Sequence, residues 1–290
     1  ALVPGGLDLP EPGDVGRIGL SAGDAASAFA CTVDLREDRS DGLVRLTATN
    51  GGRVLARTRI ARSFEQQDPG AIIDALASEA GVTGKAGSAG DRLARYFADD
   101  GCSLLDHVAR LAATAGRLAT FDDTGALVLL DDAGEGEAVA RLVAGETLID
   151  WRVGAREPGG TVTVSGAGAA DQGGNAWAWL RKEPGPFRTE AGSGAPKRQH
   201  SAAWARSEAA VGDLAAARVR ALAREASPGR FRVGGLPQAV PGAVVEIAGI
   251  GAQDGLWRVI AVDLTFDLHH GMVSDLTAAP IGGGGLGGLL

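Results

Sequence analysis

The segment RSFEQQDPGAIIDALASEAGV, residues 62–82, is where the hydrophobic period of the chain changes from that of strands to that of a helix. Asp68 is a good helix N-cap, and Pro69 suits the first helical position. Gly81 then ends a stripe of apolar residues at helical spacing: Ile72, Ile73, Leu76 and Ala80. We therefore predict a short amphipathic helix between these punctuating residues.

A second helix follows the same plan. Ser103 and Asp106 have the spacing of a capping box, and Gly116 closes the pattern. Between them lies an apolar stripe made of Leu104, Leu105, Val108, Leu111, Ala112 and Ala115. Two apolar runs, 118–121 and 126–130, then flank Asp122-Asp123-Thr124-Gly125, which predicts a hairpin.

Residues 14–62, before the first helix, have the alternation of β structure. Runs 42–49 and 53–60 flank Asn50-Gly51-Gly52, a strong hairpin signal. We therefore predict two strands joined at Asn50, with one face towards a core and the arginines outward.

The C-terminal half is interpreted as mostly β structure with two interruptions. Residues 131–138 and 166–201 are rich in Gly, and the second segment is predicted to be a long irregular surface loop. A helix is predicted over 204–226, ending at Ser227-Pro228-Gly229. Further strands are predicted at 151–153, 161–164, 231–233, 243–247, 256–262 and 272–277.

These elements predict a β-rich α+β fold in which tube-like β-barrel domains flank a small inserted α/β region. The predicted units are 1–64 (a partial barrel), 65–146 (two short helices and a hairpin), 147–280 (a second barrel that includes the loop and the helix) and 281–290 (a flexible Gly/Leu tail). A chain of 290 residues is long enough for about two domains.

Composition limits the possible partners. Aromatic residues make up only 4% of the chain and Gly reaches 45 residues, so small aliphatic side chains must fill the core. The net charge is −8, and the 28 basic residues form no cluster. The sequence therefore argues against nucleic-acid binding as a main function.

No apolar run approaches the length of a membrane span, and nothing at the N-terminus is typical of a signal peptide.

We find no sequence motif for catalysis, a cofactor or a metal. The P-loop, the His-Glu-x-x-His, Cys-x-x-Cys and Gly-x-Ser-x-Gly motifs are missing, and Gly249–Gly255 is interpreted as a β-turn. Asp99 with Asp100, and Asp122 with Asp123, are interpreted as turn residues and not as a hydrolase pair. We therefore predict a protein that is not an enzyme, with no catalytic, cofactor or metal residues.

The remaining reactive side chains have structural interpretations. His107 is predicted to lie at the edge of its helix stripe, and His269 with His270 in a polar turn, although a metal site at that pair is an alternative. Cys31 and Cys102 are predicted to be two buried thiols, with a disulfide as the alternative.

Five residues are candidate interface anchors. Trp177 and Trp179 lie two apart in the predicted loop, and Trp is enriched at binding hot spots. They would otherwise pack onto their own domain. Leu286, Leu289 and Leu290 in the tail are candidates for docking on a partner, with a disordered tail as the alternative.

The order of elements resembles the late control protein D family, the hub proteins of phage baseplates and related injection systems. The likeness lies in three segments: residues 62–82, residues 93–97 leading through 103–112 to Ala115-Gly116 and the hairpin, and the C-terminal runs 234–237, 241–247 and 254–259. The loop 166–201 has no counterpart in the family pattern, and the N-terminal β region is short.

The resemblance implies a structural role. Family hubs are trimers whose tube-like barrels form a ring between the tail tube and the central spike. It implies a homotrimer that contacts a tail tube or distal tail protein, the spike and a tape measure protein. It further implies a place in the baseplate of a virion tail or injection particle, assembled in the host cytoplasm. The alternatives are a tail-associated cell-wall hydrolase and a carbohydrate or receptor-binding tail module.

Overall fold

A computed structural model describes residues 2–4, 8–22, 25–131, 136–154, 160–166, 187–205, 208–267 and 271–281. The protein is β-rich, with 48% strand and 22% helix, which confirms this part of the predicted fold class. No helix in the described part of the chain is long and apolar enough to cross a membrane.

The N-terminal strands form a four-stranded antiparallel sheet in the order β1-β4-β3-β2. They are β1 (Leu2–Pro4), β2 (Val15–Ala22), β3 (Ala25–Asp38) and β4 (Leu43–Thr49). A bulge between Val33 and Leu35 shifts the register of β3 against β4. Since β2 pairs only with β3, it forms one edge of this sheet.

The predicted hairpin at Asn50 is wrong, because the chain enters a helix there: α1 (Gly51–Arg57). The Asn50 side chain accepts a hydrogen bond from the Gly52 amide at 3.0 Å, so the residue acts as an N-cap. Leu55 is fully buried in the neighbouring core, and Arg53 forms an ion pair with Asp34. Asn is favoured both in turns and at N-caps, and here the burial of Leu55 selects the helix.

The middle of the chain forms a compact α/β unit. Its elements are β5 (Arg62–Gln67), α2 (Pro69–Glu79), β6 (Gly84–Lys85), β7 (Leu93–Ala98), α3 (Leu104–Thr114), β8 (Arg117–Phe121) and β9 (Leu127–Asp131). β5 and β7 form a ribbon, and β9 lies between β6 and β8. The hydrophobic cluster between them is built mainly from fully buried aliphatic side chains, including Leu55, Ile72, Leu76, Leu104 and Leu111.

Both predicted helices and their end residues are confirmed. Asp68 caps α2 by accepting from the Ala71 amide, and Ser103 with Asp106 forms a complete capping box on α3. Gly81 and Gly116 follow the two helices with φ of +70° and +66°, a conformation that costs glycine little. The predicted hairpin is β8 paired antiparallel with β9.

The C-terminal half adds two further sheets. Its elements are β10 (Ala138–Val143), β11 (Leu148–Val153), β12 (Thr161–Gly166), β13 (Arg188–Gly192), β14 (Lys197–Ala202), α4 (Glu208–Ala226), β15 (Gly229–Gly234), β16 (Val244–Ala248), β17 (Gly255–Asp267) and β18 (Gly271–Pro280). The strands predicted between 231 and 277 are thus confirmed.

Six of these strands form a curled half-barrel in the order β10-β16-β17-β18-β15-β11. β10 runs parallel to β16, and the other pairs are antiparallel. Phe231 and Trp257 are both buried in its core and meet edge to face with ring centroids 5.0 Å apart. β10 and β11, which are consecutive along the chain, form the two edges of the half-barrel.

The interpretation of 166–201 as irregular is wrong for its second half. β13 lies within it, β14 begins within it and ends at Ala202, and the two strands flank β12, with β14 parallel to β12. α4 packs on this sheet through Val211 and Leu214, and it begins later than predicted, at Glu208. β13 and β14 are polar and mostly exposed, so neither has an apolar pattern of its own, and they form strands by pairing with the buried β12 on which α4 packs. Residues 167–186 lie outside the described residues.

Candidate assembly surfaces

The N-terminal sheet has little core of its own. In the described part of the chain, no member of the three hydrophobic clusters precedes Leu55. Val33 and Val44 are the only described apolar side chains of the sheet that are buried, while Val15, Ile18, Phe29 and Leu35 are exposed. A sheet needs one packed face to be stable in water, so this surface is suited to a partner.

The edge strand β2 is open to solvent along its described residues. Every described side chain from Glu11 to Gly19 is exposed, and Val15 is 81% exposed. Ile18 lies directly opposite Phe29, and both are exposed on the same face. Arg17 reaches the β8–β9 turn, with its Nη2 3.4 Å from an Asp123 carboxylate oxygen.

The half-barrel has apolar residues on both of its edges. Each edge strand has a bulge, at Val139 in β10 and at Ile149 in β11, and both residues are exposed. Trp151 of β11 pairs with the buried Phe231, yet it is itself 41% exposed. The Trp151 ring therefore continues the row of core side chains out to the edge of the sheet, and no described strand covers the ring there.

Two arginines face each other at the β11 edge. Arg152 lies directly opposite Arg230 in the β11–β15 register, both are exposed, and neither forms an ion pair with a described carboxylate. Like charges directly opposite destabilise a sheet. In contrast, Arg232 on the same strand makes a two-pronged contact with Asp275 at 2.7 and 2.8 Å. That contact lowers the pKa of the Asp275 carboxyl.

The interior of the middle unit contains a polar network. His107 is fully buried, which corrects its predicted position at the edge of the helix stripe. Its Nε2 lies 3.0 Å from the Asp99 carbonyl oxygen, and its Nδ1 lies 2.8 Å from the Tyr96 hydroxyl. Because a carbonyl can only accept, Nε2 donates to it and Nδ1 accepts from Tyr96. Burial raises the pKa of Tyr96 to about 12.

Asp99, Cys102 and His107 have the composition of a metal site, with their ligand atoms within 4.8 Å of one another. Both ring nitrogens of His107, however, already make hydrogen bonds within the protein. The Cys102 sulfur lies 3.7 Å from an Arg110 guanidinium nitrogen, whose charge opposes a cation. The geometry is that of a satisfied structural network.

The acidic pairs serve turns, as predicted. Asp122 accepts hydrogen bonds from the Thr124 and Ala126 amides and from the Thr124 hydroxyl. Together with a hydrogen bond from Lys85, these lower the pKa of its carboxyl. Asp99 accepts from the Gly101 amide at 3.0 Å. Gly249–Gly255 is also a turn, built around the 3-10 segment Gly251–Gln253.

Cys31 and Cys102 are separate free thiols, as predicted, although both are partly exposed. The predicted interface residues Trp177, Trp179, Leu286, Leu289 and Leu290 lie outside the described residues, as do His269 and His270. The surfaces that sequence reasoning missed are the β2 and β11 edges. The alternation of residues 148–153 was a visible signal, but which strands lie at an edge depends on distant pairings.

Neither a protein-family model nor a curated protein matches the sequence. Solved structures do match. The 43 kDa tail protein of prophage MuSo2 from Shewanella oneidensis has a TM-score of 0.68 at 16% identity, over 97% of this chain and 88% of that one. A tail protein from Neisseria meningitidis has a TM-score of 0.64 at 13% identity, over 91% and 86% of the two chains.

A third solved structure comes from an injection system. It is an E. coli component of the type VI secretion system, described as similar to the T4 bacteriophage tail proteins gp27 and gp5. Its TM-score is 0.59 at 11% identity, over 94% of this chain and 66% of that one. At these identities the likeness establishes the fold: this chain has the fold found in phage tail proteins and in a component of a secretion machine.

Proposed function

We propose that the protein is a structural subunit of the baseplate in a phage tail or phage-like injection system. In this proposal it is a hub of the late control protein D type, and three copies form a ring that joins the tail tube to the central spike. The observation that carries the proposal is the thinly covered N-terminal sheet, whose exposed apolar residues need a partner, in a fold shared with tail proteins.

The ring accounts for the uncovered strands. In a monomer, the apolar edges of β2 and β11 would be an aggregation hazard. Neighbouring copies in a closed ring cover such edges, since every copy presents the same pair of surfaces. The faces of the ring would then contact a tail tube or distal tail protein on one side and the spike on the other. A tape measure protein is a further partner, and assembly in the host cytoplasm precedes incorporation into the particle.

The proposal assigns no reaction to the chain. The acidic residues that motivate a cell-wall hydrolase are held by turn hydrogen bonds, as at Asp122. The purified protein is therefore expected to leave peptidoglycan intact. Digestion that is lost on Asp99→Asn or Asp122→Asn substitution would support the hydrolase instead.

Electron microscopy of the purified protein, alone and with the other tail proteins, tests the hub. We expect a three-fold ring that sits at one end of the tail tube in isolated particles. A monomer at every concentration, and no density for the chain in isolated tails, would contradict the proposal. Glycan binding lost on replacing Trp177 and Trp179 would favour a receptor-binding module.

A further inference from the structure

The two exposed edge strands of the chain have complementary properties. The β11 edge has the like-charged pair Arg152 and Arg230 on one face and the open side of Trp151 on the other. The β2 edge begins after residues 8–14, which contain Asp8, Glu11 and Asp14 and no basic residue. Glu11 is already paired with Arg36, whereas Asp14 accepts from the Glu11 amide through one carboxylate oxygen and keeps its charge and its other oxygen for a further contact. One edge therefore has a pair of like-charged arginines, and the other has an acidic residue, Asp14, directly before it.

We propose that the β11 edge of one copy pairs with the β2 edge of a second copy. This inference rests on the proposed function, because it requires that copies assemble, and it names the two strands that join them. Asp14 lies opposite Arg152 in the joint and relieves the repulsion between the two arginines. The second copy is favoured over an unrelated partner because both halves of the charge match lie on this chain.

The lengths and the side-chain order of the two strands fit this joint. β11 has six residues and spans roughly 20 Å at about 3.3 Å per residue; its first four residues can face β2, and its last two then face Asp14 and Gly13, which directly precede β2. An antiparallel alignment with Asp14 opposite Arg152 places Val15 opposite Trp151. Val15, which is 81% exposed, then covers the exposed part of the Trp151 ring.

The joint also fits a ring. It uses two different surfaces of each copy, which makes it heterologous, and heterologous contacts close into rings when the rotation between copies permits. Backbone hydrogen bonds between the two edges remove the unpaired amides and carbonyls of both strands. The edge strand β2 of one copy thus extends the half-barrel sheet of the neighbouring copy.

Charge reversal tests the joint. Arg152→Glu and Asp14→Arg should each weaken association of the full-length protein by about tenfold or more, measured by sedimentation or light scattering over a concentration series. The double variant Asp14→Arg with Arg152→Glu restores the attraction in every joint, so its association should return to within about threefold of the wild type. Arg92→Glu makes the same charge change at another exposed site, and should have no effect.

A melting curve separates assembly from folding. Arg152→Glu replaces a like-charged cross-strand pair by an opposite-charged one, so the melting temperature measured at a concentration where the protein is monomeric should not fall. Lower stability together with weaker association would make the effect one of folding and overturn the inference.

The remaining outcomes are distinct. If the wild type assembles and neither reversal weakens it, the β2–β11 joint is wrong while the hub proposal stands. If both reversals weaken association but the double variant stays weak, the pairing of Asp14 with Arg152 is wrong. If the wild type is a monomer at every concentration and has no place in tail particles, both proposals fall.

Discussion

Tyr96 gives a sharp test of the buried network, because it is the only tyrosine in the chain. Any phenolate absorbance that appears in the near ultraviolet on alkaline titration therefore reports this one hydroxyl. The hydroxyl donates to His107 Nδ1 in an environment where burial raises its pKa from an ordinary 10.0 to about 12. In the folded protein it should stay protonated through the range in which a free tyrosine ionises.

The raised pKa sets the direction and size of a stability change. The folded state holds the proton more tightly than the unfolded state, so the contribution of Tyr96 is fully present below about pH 10 and is lost as pH rises through about 12. A pKa difference of about two units corresponds to about 2–3 kcal/mol of unfolding free energy. Urea denaturation at a series of alkaline pH values measures this loss.

Tyr96→Phe is the matched variant. It removes the ionisable group, so the loss of unfolding free energy between about pH 10 and 12 should shrink. At neutral pH the variant should be less stable by about 1–3 kcal/mol, because Nδ1 of His107 loses its hydrogen-bond donor. A phenolate signal that appears near pH 10, while circular dichroism still reports a native fold, would refute the described burial and hydrogen bond.

Two further predictions concern local hydrogen bonds. Asn50→Ala removes the N-cap of α1 and should lower the unfolding free energy, measured by urea denaturation, by about 1 kcal/mol. Asn50→Asp keeps a capping side chain, so it should retain most of the wild-type stability. Equal stability of the wild type and both variants would contradict the cap. Hydrogen bonds lower the pKa of Asp122, so its contribution is present above its ordinary pKa of 3.8 and is lost as pH falls. The melting temperature of the wild type should therefore fall more on acidification than that of Asp122→Asn, and parallel curves would refute this.

The elements that could be predicted best from the sequence are those whose ends are fixed by contacts between residues close together in the chain. Asp68 and Ser103 mark helix starts by hydrogen bonds to amides three residues away, and Gly81 and Gly116 mark helix ends by their own backbone conformation. The turn at Asp122 is likewise closed by its nearest neighbours. These features need no knowledge of the rest of the chain, so a single sequence is enough to find them.

The misassigned elements depend on distant contacts. Asn50 has the same local preference for a turn and for an N-cap, and only the burial of Leu55 in the core of the middle unit settles the choice. β13 and β14 become strands because they flank β12 under α4, a partner that begins at Glu208. The exposed edges of β2 and β11 follow from the strand order of whole sheets, which no local pattern contains.

In the assembly proposed above, the surfaces that this chain leaves uncovered bind further copies of itself. The most direct test of this assembly is the mass of the purified wild-type protein in solution, measured by light scattering over a concentration series. We expect a species of three times the mass of one chain that dissociates on dilution or on Arg152→Glu substitution. A single species of one-chain mass at every concentration would contradict it.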